Sequence, residues 1–141
     1  MSNRSIDIIL ALKSKWAEKI YSGEKTVEVR KRIPYQYRTS GHTFLRVLVY
    51  ETGNKGITGC FLSGGYRVID PSDPDLSGTC IEPEEFFGYA AGNPTYGIVI
   101  EGVHRFGRPF ALSDAEVKTA PQSFAVLNDG VYDRLLEEES A

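Results

Sequence analysis

The chain has 141 residues, 25% of them charged, and a formal net charge of −3. This length predicts one domain spanning residues 1–141, with a core large enough to need no disulfides. Its two cysteines form no CxxC pair and its two histidines have no metal-ligand spacing, so we expect no zinc site and no cofactor. No apolar stretch approaches the roughly 18 residues of a membrane span, and the start lacks a signal pattern. We therefore expect a cytoplasmic protein without membrane contact.

Positive charge is concentrated in the first third of the chain. Residues 1–46 hold 10 Lys and Arg against 4 Asp and Glu, whereas residues 47–141 hold 6 against 15. The asymmetry predicts a basic face, suited to phosphate or nucleic acid, on an otherwise acidic body. The alternative is that the two halves intermix in the fold and their charges cancel.

The first third predicts a strand, a helix and a second strand. Ile6–Leu12 is a nearly unbroken apolar run, which is typical of a buried strand. A helix over Ser14–Ser22 is expected to begin with its first serine as the N-cap and to end at Gly23, where a left-handed residue belongs. From Val27 onward, valines alternate with polar residues, and this period of two predicts a strand with one face in the core.

The most informative segment is the octapeptide 23–30, GEKTVEVR, at the junction between this helix and this strand. It brings Lys25, Glu28 and Arg30 close together. A cation, an anion and a cation can hold a polar ligand through charge-assisted hydrogen bonds, and Arg32 is expected on the same strand face. The alternative is that these residues are solvated on the exposed side of a half-buried sheet.

A second candidate surface follows in RKRIPYQYR, residues 30–38. Cations interleaved with aromatic residues such as Tyr35 suit single-stranded nucleic acid, whose bases stack on rings at roughly 1–3 kcal/mol each. The alternative is a charged loop whose tyrosines pack on the fold. Further candidates for contact with a ligand are Lys13, Tyr96 and Gln122.

The remainder of the chain predicts more strands than helices. Strands are expected over Phe44–Glu51, over Gly56–Ile69 with glycine bends, over Tyr96–Phe106 and briefly over Phe110–Leu112, and helices over Glu82–Ala91 and Asn128–Glu139. Glycine bends allow a sheet to curl. We therefore predict an α+β fold, a small mixed β-barrel of about five or six strands with short flanking helices.

Three segments resemble one known family. Residues 23–30 meet the pattern GxKxxExR, residues 9–34 are similar to that family's first strand, helix and second strand, and PQSF at 121–124 resembles an element of one prokaryotic branch. The family is the ASCH (activating-signal-cointegrator homology) domain of the PUA-like superfamily. The resemblance implies a pseudobarrel whose cleft is lined by the motif, and a partner that is RNA or a modified nucleoside or nucleotide.

The resemblance also implies alternatives. Some relatives are enzymes: one group removes the acyl group from N4-acetylcytidine with a Lys, a Thr and a Glu, and another relative is a ribonuclease. Lys25 and Glu28 would then act as acid and base, with Thr26 and Glu101 as further candidates, because Glu28 stands where the amidohydrolases have threonine. A third hypothesis is an adaptor that binds a protein partner through the acidic C-terminal half.

Overall fold

The computed structural model describes residues 4–41 and 43–141, except for the side chain of Arg4. Within these ranges eight strands form two sheets, accompanied by four α-helices and one 3-10 helix. The strands are β1 Arg4–Leu12, β2 Val27–Arg30, β3 Thr43–Glu51, β4 Gly56–Ser63, β5 Tyr66–Ile69, β6 Thr95–Val99, β7 Glu101–Phe110 and β8 Phe124–Val126. The helices are α1 Ser14–Tyr21, α2 Tyr35–Thr39, α3 Pro83–Ala90 and α4 Val131–Ser140, and the 3-10 helix is Leu112–Ala115.

The larger sheet has five strands in the order β7-β4-β3-β1-β8. β1 and β3 run parallel, with Ile8 opposite Val47, and the other neighbouring pairs in this sheet are antiparallel. The smaller sheet is antiparallel in the order β2-β6-β5, and Arg30 lies opposite Tyr96. The strand that carries the motif, β2, is therefore an edge strand of the smaller sheet.

Both faces of the larger sheet are covered, and this explains the unbroken apolar run of β1. Ile8 and Leu10 face a core shared with α1, α2 and β6, whereas Ile9 faces a second core shared with α4. Val29 and Phe86 belong to a third core, between the smaller sheet and α3. A strand buried on both faces has no polar side, so its residues need not alternate.

The α+β fold class is confirmed, as is the end of α1 at Gly23, which has a left-handed φ of 84°. The two sheets do not close into a barrel. The predicted bent strand over Gly56–Ile69 is two strands in different sheets, because the chain turns at Gly64–Gly65. The predicted strand over Tyr96–Phe106 is likewise divided between the two sheets, with a break at Ile100.

Other local predictions are wrong. Ser14 is the first residue of α1 and not its cap, because its Oγ donates a hydrogen bond to Glu51 Oε2 at 2.8 Å. Phe110 ends β7, and Leu112 begins the 3-10 helix where a short strand was expected. The short elements α2 and β8 have no counterpart among the predicted elements. In the described part of the chain, no helix is both long enough and apolar enough to cross a membrane.

Candidate functional site

Lys25, Glu28 and Arg30 form one chain of ion pairs, in which Lys25 and Glu28 are buried and Arg30 is partly buried. Glu28 Oε1 lies 3.5 Å from Lys25 Nζ, and Glu28 Oε2 accepts a hydrogen bond from Arg30 Nε at 2.7 Å. The exposed fraction is 1% for Lys25 and 6% for Glu28. The interpretation of these residues as a solvated sheet face is therefore wrong, since Val27, Glu28 and Val29 are all buried.

The position of Lys25 depends on a close approach between two stretches of backbone. The amides of Thr26 and Val27 both donate to Gly78 O, at 2.8 and 3.0 Å. Gly78 has a φ of 78°, and a Cβ at this position would collide with Thr26 Oγ1, so only glycine fits without strain. The next carbonyl, Thr79 O, accepts a hydrogen bond from Lys25 Nζ at 2.5 Å.

Arg30 connects the two sheets. Its Nη2 donates to Ala11 O in β1 at 2.7 Å, and its Nη1 donates to Ser123 Oγ at 3.2 Å, just before β8. Together with the bond from Nε to Glu28, the guanidinium contacts three separate segments. The rigid fork of donors suits arginine and could not be reproduced by lysine. Arg30 therefore braces the site as well as bordering it.

The environment of Lys25 disfavours its charged form. Burial lowers the pKa of Lys25 from its ordinary value of 10.5, and the carboxylate of Glu28 acts against that shift. The ring centroid of Trp16 lies 4.7 Å from Lys25 Nζ, so an aromatic face also contacts the ammonium. A lysine in this position releases its proton at a lower pH than a solvated lysine does.

These groups border a pocket of about 290 Å³. The rest of its lining includes two aromatic rings, two aliphatic side chains and two charged groups, namely Trp16 and Tyr89, Leu12 and Ile81, Lys13 and Glu85. The pocket lining thus contains three cations and two carboxylates. This excess of positive charge favours a ligand with negative charge or with acceptor oxygens. The volume is at the lower end of the roughly 300–1,000 Å³ that ligand pockets occupy, so it suits one small ring system.

The other predicted contact residues lie outside this pocket. Arg32, Tyr35 and Tyr96 line a separate groove of about 690 Å³. Gln122 lines a third hollow of about 710 Å³, which it shares with Arg32. The prediction that Arg32 continues the strand face of Glu28 is wrong, because β2 ends at Arg30 and the chain turns toward α2.

The two tyrosines of residues 30–38 have opposite environments. Tyr37 is buried, its hydroxyl donates to Gly65 O at 2.5 Å, and burial raises its pKa to about 12. Tyr35, the first residue of α2, is 70% exposed. Tyr37 therefore packs on the fold, as the alternative interpretation of this segment expected. For Tyr35, contact with a ligand stays a prediction.

Sequence reasoning missed several parts of the pocket. Trp16 was not among the predicted contact residues, and Thr79 contributes a backbone carbonyl, which leaves no signal in the sequence. Thr26 and Glu101, the further candidates for an amidohydrolase, do not line the pocket, and Glu101 Oε1 instead accepts a hydrogen bond from Gly64 N at 3.1 Å. Among the described residues, no three His, Cys, Asp or Glu side chains are grouped so that they could hold a metal ion.

Two sheets with short flanking helices form an α+β fold. The crystal structure of the ASCH protein from Zymomonas mobilis is similar over 93% of this chain and 94% of its own, with a TM-score of 0.75 and 20% identity. A serine-to-alanine variant of the Zymomonas mobilis protein is similar over 98% and 99%, with a TM-score of 0.76 and 19% identity. No protein-family model and no curated protein matches the sequence. The chain thus has the fold of the ASCH domain, as its motif predicted.

Proposed function

We propose that the chain binds a nucleotide, free or within RNA, and holds its base in the pocket beside Lys25, Glu28 and Arg30. The observation that carries this proposal is that a buried chain of ion pairs opens on a pocket of about 290 Å³ with aromatic walls. Buried charges are costly and need partners, so the buried Lys25 and Glu28 beside a cavity, with the partly buried Arg30, favour recognition of a specific polar ligand.

The pocket matches the chemistry of a nucleobase in two ways. Trp16 and Tyr89 supply aromatic surface for stacking, which every base can use. Glu28 supplies an acceptor: its Oε2 is bound to Arg30, but its Oε1 has Lys25 Nζ only at 3.5 Å, beyond the usual hydrogen-bond distance. That oxygen can accept a hydrogen bond from an exocyclic amine, while Lys25 can donate to a ring carbonyl.

The rim of the pocket matches a phosphate. Lys13 is exposed there, and in the part of the chain that the structure describes it takes part in no ion pair. An unpaired ammonium at the mouth can contact a nucleotide phosphate while the base lies inside. Glu85, also on the rim, disfavours a second phosphate at its side of the pocket.

Calorimetric titration with the four nucleoside 5′-monophosphates tests this proposal. We expect one of them to bind and Lys25→Met to weaken it by at least about tenfold, because hydrogen bonds to charged groups contribute about 1.5–3 kcal/mol. Lys15→Met is the matched control, since Lys15 lies over the ring of Trp16 but does not line the pocket. Thermal unfolding checks that both variants fold. Binding that is equally strong in Lys25→Met and in the wild type would contradict the proposal.

A second candidate function is hydrolysis of an acylated nucleoside, and the lowered pKa of Lys25 favours it. A neutral Lys25 could take a proton from water as the water attacks the acyl carbonyl, and then return it to the leaving amine. Incubation with N4-acetylcytidine, followed by mass spectrometry, would reveal cytidine and acetate, and labelled RNA in the same mixture would reveal strand cleavage. Turnover should rise with pH and disappear in Lys25→Met. An unchanged substrate after prolonged incubation would exclude this activity on that compound.

A further inference from the structure

Lys25 has the surroundings of a nucleophilic amine. Lysines that attack carbonyl compounds lie in an apolar pocket or beside another cation, because both conditions favour the neutral amine with its free electron pair. Lys25 is 1% exposed, lines the pocket and has the ring centroid of Trp16 4.7 Å from its Nζ. Burial lowers its pKa most, and Arg30 acts in the same direction, against the carboxylate of Glu28. Lys25 therefore reaches its reactive form more readily than a lysine on the surface does.

The neutral form of Lys25 keeps its partners. A neutral amine has two N–H groups and one electron pair. Thr79 O accepts a hydrogen bond from Nζ at 2.5 Å, and Glu28 Oε1 lies 3.5 Å from the same nitrogen. Each N–H group thus has an oxygen to face, and the electron pair stays available for a carbon atom in the pocket. Lys19 is the opposite case, because its hydrogen bond and ion pair with Glu24 at 2.8 Å raise its pKa.

Glu28 is placed to move the protons that a reaction with an aldehyde requires. In that reaction, Lys25 Nζ forms a bond to the carbonyl carbon, the carbon–oxygen bond breaks, and the product is an imine (a Schiff base). Both N–H protons pass to the carbonyl oxygen, which leaves as water. Because Glu28 Oε1 lies beside Nζ, it can take each proton from the nitrogen and give it to the oxygen. The step balances without an oxidant or a reductant.

The size and charge of the pocket limit which aldehyde fits. A volume of about 290 Å³ admits a short chain or one small ring. Lys13 is exposed at the rim and forms no ion pair among the described residues, so a phosphate on the same molecule has a cation to contact. Leu12 and Ile81 supply apolar wall around the reacting atoms. Two sources offer this chemistry: a free sugar phosphate, and a nucleotide that has lost its base within a strand, whose sugar ring opens to an aldehyde.

We propose that Lys25 forms a Schiff base with a phosphorylated aldehyde in the pocket, while Glu28 transfers the protons and Lys13 contacts the phosphate. This activity goes beyond the proposed function, because it creates a covalent bond and requires no nucleobase. It uses the same pocket, so the two are tested with separate ligands.

Reductive trapping tests this proposal. The protein would be incubated with glyceraldehyde 3-phosphate, with glyceraldehyde or with an oligonucleotide that carries one abasic site. Cyanoborohydride in each mixture reduces an imine to a stable secondary amine, which intact-mass spectrometry measures and peptide mapping locates. We expect the adduct on Lys25, a rate that rises with pH, and at least about tenfold less labelling in Lys25→Met. Lys19→Met is the matched control and should be labelled like the wild type.

The phosphate provides a second, independent variant. Glyceraldehyde 3-phosphate should react at least about fivefold faster than glyceraldehyde, the effect of one charge-assisted contact, and Lys13→Met should remove that difference. Because Lys13 is exposed, this variant should fold even if Lys25→Met does not. Lys15→Met is its control, since Lys15 is exposed and does not line the pocket, and it should keep the difference.

The possible outcomes separate this proposal from the proposed function. Labelling spread evenly over the surface lysines, or no adduct on Lys25, would overturn the Schiff base. If a nucleoside monophosphate binds and no adduct forms, the Schiff base fails and the proposed function stands. If an adduct forms on Lys25 and no monophosphate binds, the proposed function fails and the Schiff base stands. Faster trapping of the abasic oligonucleotide would support the proposal with a strand as the source of the aldehyde, and faster trapping of glyceraldehyde 3-phosphate would support it with a free sugar phosphate.

Discussion

Two consecutive stretches of this chain are rich in cations and have opposite environments. In the first, Lys25 and Arg30 are held by Glu28, with Lys25 almost completely buried. In the second, Lys31 and Arg32 are exposed, with no carboxylate partner among the described residues. The first stretch contains its own carboxylates, whereas residues 31–38 contain none. The path of the backbone adds to the difference, because β2 ends at Arg30 and the chain then emerges at the surface.

The contrast implies different roles for the two stretches. Buried, fully paired charges have fixed positions and can select one ligand geometry, whereas exposed cations attract phosphates with little regard to sequence. We therefore expect changes in the first stretch to alter stability and selectivity, and changes in the second to alter affinity and its salt dependence. The following predictions test that contrast, from the largest expected effect to the smallest.

Glu28→Gln should lower the free energy of unfolding by about 3 kcal/mol or more, because it leaves Lys25 buried without its counter-charge. Urea unfolding would measure the loss. Glu137→Gln makes the same chemical change at an exposed position in α4 and should change stability by less than about 0.5 kcal/mol. Similar small losses in both variants would show that the ion-pair chain is not stabilising.

Gly78→Ala should lower the free energy of unfolding by about 1–3 kcal/mol, since its φ of 78° is strained for alanine and its Cβ would collide with Thr26. Gly88→Ala is the control with the opposite expectation. It lies within α3 with open space around it, so alanine should stabilise the protein by about 0.5–1 kcal/mol. Chemical denaturation of both variants makes the comparison. If the two changes had the same sign, backbone strain at Gly78 would not be the cause.

The stability of the wild type should rise with pH relative to Lys25→Met. Burial lowers the pKa of Lys25 in the folded state, so between that lowered value and 10.5 the unfolded chain binds more protons. Unfolding therefore becomes less favourable as pH rises across this interval, with a slope of at most about 1.4 kcal/mol per pH unit for one proton. Urea unfolding of both proteins at a series of alkaline pH values tests this. A constant difference would show that Lys25 keeps an ordinary pKa.

Arg32→Gln should change the free energy of unfolding by less than about 0.5 kcal/mol, because the side chain is exposed and forms no ion pair within the described residues. Arg30→Gln, two residues earlier, removes bonds to Ala11 O, Ser123 and Glu28 and should cost clearly more. Thermal unfolding of the pair measures the difference directly. Equal losses would contradict the division between the two stretches.

The sequence predicted the parts of this arrangement that depend on local pattern. The apolar run of β1 indicated a buried strand, which the structure shows to be covered on both faces, and Gly23 marked the end of α1. The motif brought Lys25, Glu28 and Arg30 together correctly. The alternation in β2 wrongly suggested that Glu28 is exposed to solvent. A period of two reveals which side of a strand is polar, but it does not reveal whether other segments of the chain cover that side.

Contacts made by backbone atoms, and contacts between distant segments, could not be predicted. The partner of Lys25 is the carbonyl of Thr79, which any residue would supply, and it is 54 residues away. The glycine pair Gly64–Gly65 signalled a bend, but whether a bend continues one sheet or begins another is decided by tertiary packing. The exposure of Tyr35 beside buried Tyr37 depends on α2, a five-residue helix too short to have a clear periodic pattern.

The guanidinium of Arg30 also sets an order of assembly. Its bond to Ala11 spans 19 residues, but its bond to Ser123 spans 93. During synthesis from the N-terminus, the ribosome must therefore release the chain beyond residue 123 before Arg30 can bond to Ser123. Long-range contacts of this kind form late, because loop closure has to precede them. A nascent chain will therefore expose its charged octapeptide before Arg30 has all of its bonds, and under the proposed function it can bind a ligand only when folding is nearly complete.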